Sequence, residues 1–167
     1  MTLDIQTHES VLRPWLAPGI SLIVALAAGV IGWRIALAFL RRVTRHRVIP
    51  GLFITASENA GLAVVVLVLV QPVVHAAPDS LYGIAVLRHA VAILLIAAAT
   101  WLAVVLTNTV TDAMAVLHPS NVRDNLQARR ILTQTRVLAR TLASIFVLLG
   151  IAFALLTFPG VRNIGAS

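Results

Sequence analysis

The 167-residue chain carries too few charges for a water-soluble fold: it is 59% hydrophobic and only 11% charged, whereas soluble domains average about a quarter charged residues. Its net charge of +7 rests on arginines that lie mostly between apolar runs, so we expect membrane lipids with anionic headgroups as partners and no nucleic acid. The absence of cysteine excludes disulfides and thiolate chemistry.

Four apolar runs predict an all-α integral membrane fold with four transmembrane helices. Each run is roughly 20 residues long, which at about 1.5 Å per residue crosses a hydrocarbon core of about 30 Å. The predicted segments are an external, turn-rich N-terminal segment (1–19), span one (20–40), a basic loop (41–52), span two (53–74), an external turn (75–80), span three (81–105, or helical as far as 117), a basic helix or loop (118–137), span four (138–158), and an external turn that begins a fifth helix (159–167).

Arginine placement predicts the orientation of these spans. The segments 41–52 and 118–137 are rich in arginine, whereas 75–80 contains none. The positive-inside rule therefore places the two basic segments in the cytoplasm and the N-terminus outside. A fifth helix would then descend toward the cytoplasm.

Two ionisable residues are predicted to lie within the membrane, where charge is costly. Arg34 in span one and Glu58 in span two lie at similar depths from the cytoplasmic side, so an ion pair between them is expected. Such a pair fixes the register of the two spans or belongs to a proton or substrate relay. In an alternative, Arg34 extends to the inner headgroups.

Near the outer ends of spans two and three, a polar cluster is expected in which Asp79 is the charge partner of Arg88. His75 and His89 lie on different helices with no evident third ligand, so no metal site is predicted. No catalytic motif or paired carboxylates are present, and we expect neither an enzyme nor a bound cofactor.

The arginines before span four follow a helical pattern. Arg129, Arg136 and Arg140 are seven and four residues apart, which places them on one face of a helix, and Arg123 and Arg130 form an adjacent stripe. These five residues are predicted to anchor the helix in anionic headgroups, at about 1 kcal/mol per basic residue near the surface. An alternative is a lipid-coupled element whose movement matters for function.

The segment from 124 to 167 resembles the region before the pore helix of the small-conductance mechanosensitive channel family. A basic lead-in, ARRILTQTRVLAR, enters an apolar helix, and TFPGVRNIGAS follows as the turn before the pore helix. In that turn the resemblance rests on Pro159, Gly160, Arg162 and Gly165.

The resemblance implies a homo-oligomeric channel in the bacterial inner membrane that senses membrane tension and releases ions and osmolytes on hypo-osmotic stress. Spans three and four would correspond to the family's lipid-facing paddle, and the helix that follows would line the pore. The alternative is a four-helix transporter subunit or membrane scaffold, centred on the Arg34–Glu58 pair.

Overall fold

The computed structural model describes the backbone of residues 3–117 and 126–158, with side chains over 16–117 and 130–158. Across these residues the chain forms four helices and no strand: α1 (Leu3–Val43), α2 (Val48–Ala76), α3 (Ile84–Leu117) and α4 (Leu126–Leu156). Each contains an apolar stretch long enough to cross a bilayer, within α1 at Leu16–Val43 and within α4 at Arg130–Leu156. The predicted all-α fold with four membrane helices is confirmed, and the chain is a multi-pass membrane protein.

The helices are longer than the predicted spans. The segment 1–19 was expected to be turn-rich, yet α1 begins at Leu3 and contains Pro14 and Pro18. Each proline removes one backbone N–H donor. Since the two prolines are four residues apart, the lost bonds fall on one side of the helix and the remaining ladder continues. The basic loop is correspondingly short, because Pro50 lies in the first turn of α2, where its N–H has no helical partner to lose.

The four helices stand side by side in a single layer. Contacts between elements join α1 to α2, α2 to α3 and α3 to α4, and within the described ranges no contact joins α1 to α3 or α4, or α2 to α4. Consecutive helices are antiparallel. One end of the layer, called the basic end below, therefore holds both the α1–α2 connection and the start of α4.

Helix α3 shows that both faces of the layer are open. Its side toward α2 carries buried residues seven apart, Ile84, Val91 and Ala98. Two exposed stripes flank that side, on opposite faces of the helix as 3.6 residues per turn requires. The front stripe consists of Leu94, Trp101 and Asn108, and the back stripe of Ala99, Leu106 and Val110. A helical bundle would bury one of the two stripes, whereas here both are exposed.

Burial is concentrated between α2 and α3, at the end opposite the basic end. One cluster there joins Val70, Val74, Ala77, Leu81, Ile84 and Val91. In contrast, the described part of α4 buries only Ala139 and Gly150. A Cβ at position 150 would collide with the Thr100 side chain of α3, so the two helices approach closely at this glycine. The layer therefore has a packed centre and a lightly held fourth helix.

Candidate functional site

The ion pair between α1 and α2 differs from the predicted one. The Glu58 carboxylate accepts from Arg41, with Arg41 Nη2 and Glu58 Oε2 2.5 Å apart. Arg34 is exposed, and within the described part of the chain it forms no ion pair with Glu58. The predicted Arg34–Glu58 pair is therefore wrong.

Side-chain direction explains the choice of partner. Side chains on a helix lean toward its N-terminus. Helix α1 runs toward the basic end, so Arg41 leans away from that end, whereas Glu58 on antiparallel α2 leans toward it. The two groups meet, and Arg34 leans away from Glu58. Equal depth in the membrane therefore does not identify the ion-pair partner of Glu58.

Trp33 completes this interface and was not predicted. Its Nε1 donates a hydrogen bond to the backbone carbonyl of Glu58 at 2.9 Å. Its ring lies against Gly61, where a Cβ would collide with it. The sequence signal for this contact is that Gly61 in span two lies at a depth similar to that of Trp33 in span one. The contact fixes the register of α1 against α2.

Arg88 binds the end of α2 from the N-terminal part of α3. Its Nε and Nη2 donate to the carbonyl oxygens of Val74 (3.1 Å), His75 (3.2 Å) and Ala77 (2.6 Å). Its Nη1 lies 2.5 Å from Asp79 Oδ1, so the predicted Arg88–Asp79 pairing is confirmed. Because the last carbonyls of a helix have no partner within it, Arg88 acts as a cap supplied by the neighbouring helix.

His89, next to Arg88, contacts the end of the segment that follows α4, at Phe158. Its ring meets that of Phe158 edge to face, with centroids 4.6 Å apart, and its buried Nε2 has no hydrogen-bond partner among the described residues. The described residues contain no group of three or more His, Asp or Glu that could hold a metal ion.

Two of the predicted anchoring arginines line a cleft between α3 and α4. The cleft has a volume of about 790 Å³, and its polar lining comprises Arg136, Arg140 and Ser144 of α4 with Asn108, Thr111 and Asp112 of α3. Arg130 is exposed on α4. Other predicted residues lie outside the described residues or side chains: Arg123, Arg129, Pro159, Gly160, Arg162 and Gly165.

A second cleft follows the first along the same helix pair. It has a volume of about 430 Å³, and apart from Thr100 its lining is apolar, including Trp101 of α3 and Ile151 of α4. Val147 lines both clefts. A polar site at the basic end thus opens onto an apolar groove within the membrane-spanning part.

Comparisons with known proteins add no identity to this arrangement. No family model matches the sequence, and no curated protein and no solved structure matches the chain significantly.

Proposed function

We propose that this chain is the tension-sensing transmembrane region of a small-conductance-type mechanosensitive channel. In this proposal it lies in the bacterial inner membrane, assembles as a homo-oligomer, and releases ions and osmolytes on hypo-osmotic stress. The four helices act in sensing and anchoring, and none of them is assigned to the conduction path. The resemblance of residues 124–167 to the segment before the family's pore helix supports this assignment.

The single layer of helices is the observation that carries the proposal. Tension favours the state of a protein that occupies more membrane area, and it biases a two-state equilibrium only through a difference between the states. A single layer can tilt or flatten without unpacking a central core, because within the described ranges each helix contacts only the helices before and after it in the chain. It also exposes both faces to lipid, so lipid packing acts on it directly.

The basic end supplies the anchor that such a layer requires. Arg136 and Arg140 precede the apolar part of α4, and Arg45 and Arg47 line a cleft of about 390 Å³ at the α1–α2 connection. Anchored in the inner headgroups, these arginines would hold one end of the layer while the other end moves.

The alternative of a transporter subunit or scaffold loses the feature on which it was centred. It required an Arg34–Glu58 pair within the membrane, and Glu58 instead pairs with Arg41. The side chains of Arg41 and Glu58 are 52% and 33% exposed. Such exposure fits a pair at the surface of the layer, whereas a transport path would enclose its charged residues.

Patch recording tests the proposal. The full-length product of the gene is expressed in bacterial cells that lack their own mechanosensitive channels, and current is recorded from excised patches under suction. We expect tension-evoked current, and survival of the cells on sudden dilution. A protein that reaches the membrane but gives neither result would exclude the function.

Charge reversal tests the anchor within the same assay. Arg136→Glu with Arg140→Glu replaces about 2 kcal/mol of headgroup attraction with repulsion of similar size, and the opening tension should shift. Arg136→Lys with Arg140→Lys is the control, because it keeps a positive charge at both positions. An unshifted threshold in the glutamate double variant with normal surface expression would refute the anchoring role.

A further inference from the structure

The two clefts between α3 and α4 form one groove whose polarity changes along its length. On α3 its wall descends in steps of three and four residues: Asp112, Asn108, Val104, Trp101, Ala97 and Ile93. On α4 the facing wall rises in the same steps: Arg136, Arg140, Ala143, Val147, Ile151 and Ala154. Residues at such steps share one face of a helix, so both clefts open on the same side of the layer.

The polar part of the groove carries both signs of charge. Arg136 and Arg140 lie on one wall and Asp112 on the other. The ion pairs that the structure describes lie elsewhere, so within the described residues this carboxylate and these guanidinium groups are not paired with each other. The site therefore presents two cationic donors and one anionic acceptor to a ligand that enters between them.

The apolar part has the length of a lipid chain. From Arg140 to Ala154 the axis of α4 advances about 21 Å at 1.5 Å per residue, which exceeds the roughly 15 Å depth of one leaflet of a 30 Å hydrocarbon core. The apolar run of α4 begins just after Arg140, so the arginines lie where headgroups begin. Trp101 lines the apolar part and is 49% exposed.

We propose that this groove binds one phospholipid with a primary ammonium headgroup, of the phosphatidylethanolamine class. Its phosphate binds Arg136 and Arg140, its ammonium binds Asp112, and one acyl chain follows the apolar wall past Trp101. A purely anionic headgroup leaves Asp112 without a counter-charge and adds repulsion, which is why charge complementarity selects the zwitterion. The inference concerns binding alone and holds whether or not the chain senses tension.

Native mass spectrometry of the purified 167-residue chain in detergent tests this. Phosphatidylethanolamine, phosphatidylglycerol and phosphatidylcholine are titrated separately, and the fraction of protein that retains one lipid gives each dissociation constant. At about 1 kcal/mol per headgroup charge, the loss of one partner weakens binding about fivefold. We expect phosphatidylethanolamine to bind tightest, Asp112→Asn to weaken its binding about fivefold, and Arg136→Gln with Arg140→Gln to weaken the binding of phosphatidylethanolamine and phosphatidylcholine about 30-fold.

Two controls and one measurement of the lipid's position keep the result interpretable. Arg42→Gln should leave all affinities unchanged. A headgroup series with one, two and three N-methyl groups uses the wild-type chain alone, and affinity should fall as the N–H donors disappear, independently of any variant's folding. Phosphatidylethanolamine with brominated chains should quench wild-type tryptophan fluorescence more than that of Trp101→Phe.

Three outcomes would overturn the proposal. If phosphatidylglycerol binds more tightly than phosphatidylethanolamine and Asp112→Asn does not change this, the groove is a general site for anionic lipids. An N-methyl series with constant affinity would exclude recognition of the ammonium. Equal retention by the arginine double variant and by Arg42→Gln would place the lipid elsewhere. None of these outcomes bears on tension-evoked current, so failure here and failure of the proposed function are separate results.

Discussion

Replacing Arg88 with glutamine should destabilise the fold, chiefly through the cap on α2 and only slightly through the ion pair with Asp79. The guanidinium donates to three carbonyls of the α2 terminus, those of Val74, His75 and Ala77. Its side chain is 25% exposed, whereas that of Asp79 is 88% exposed. The ion pair is therefore largely solvated, and the carbonyl contacts are the more protected part of the interaction.

The magnitudes follow from that difference. A hydrogen bond from a charged donor contributes about 1.5–3 kcal/mol when protected, and three that share one donor group add up to less than their sum. We expect Arg88→Gln to lower the free energy of unfolding by about 2–4 kcal/mol. Asp79→Asn should cost less than about 1 kcal/mol, as exposed ion pairs do. Arg88→Lys should fall between, because an ammonium keeps the charge but cannot reproduce the planar fork.

Unfolding of the purified chain in mixed micelles, followed by the loss of helical circular dichroism as the denaturing detergent is increased, measures all three variants on one scale. The order Arg88→Gln, Arg88→Lys, Asp79→Asn from most to least destabilised is the expected result. If Asp79→Asn costs as much as Arg88→Gln, the ion pair dominates and the capping argument is wrong.

The same unfolding measurement tests the α1–α2 interface through double-mutant cycles. The coupling energy should be about 0.5–1 kcal/mol between Arg41 and Glu58 and near zero between Arg34 and Glu58. If Glu58 couples to Arg34 alone, the pairing expected from equal depth is correct. Gly61→Ala should cost about 1–3 kcal/mol through the clash of its Cβ with a tryptophan ring. Gly32→Ala, where nothing lies within 4 Å of the added Cβ, should be neutral or stabilising. Since the chain has no cysteine, single spin-labelled cysteines can be placed along α3, and oxygen accessibility in a bilayer should be high on both the front and the back stripe; a protected back stripe in the monomeric chain would contradict the single layer.

Hydropathy was sufficient for the number of helices, because the length of an apolar run is local information. The ends of the helices were harder to predict from the sequence. In the sequence alone Pro14 and Pro18 favour turns, yet a membrane helix tolerates proline where the neighbouring backbone hydrogen bonds persist. The arrangement of the helices could not be predicted from the sequence, because spans that are apolar on all sides have no polar face to indicate which side packs against another helix.

The candidate site was partly predictable for a related reason. Arg136 and Arg140 stand out in sequence because their spacing puts them on one helical face. Asp112 does not, since it joins them only through the antiparallel register of α3 and α4. The error at Arg34 has the same origin: depth can be counted along a sequence, but the direction in which a side chain leans toward its partner depends on the pairing of two helices.

The distribution of burial indicates where this layer can move. Helices α2 and α3 share the main buried cluster and are joined by Arg88, whereas the described part of α4 buries only Ala139 and Gly150. Elements with few buried apolar contacts open at the lowest free energy, so α4 should separate from α3 before α3 separates from α2. The groove that would hold the lipid lies along the weaker of these two seams. A bound lipid therefore stabilises whichever α3–α4 arrangement it fits, and drawing it into the bilayer shifts the balance only by its difference in affinity between the two arrangements.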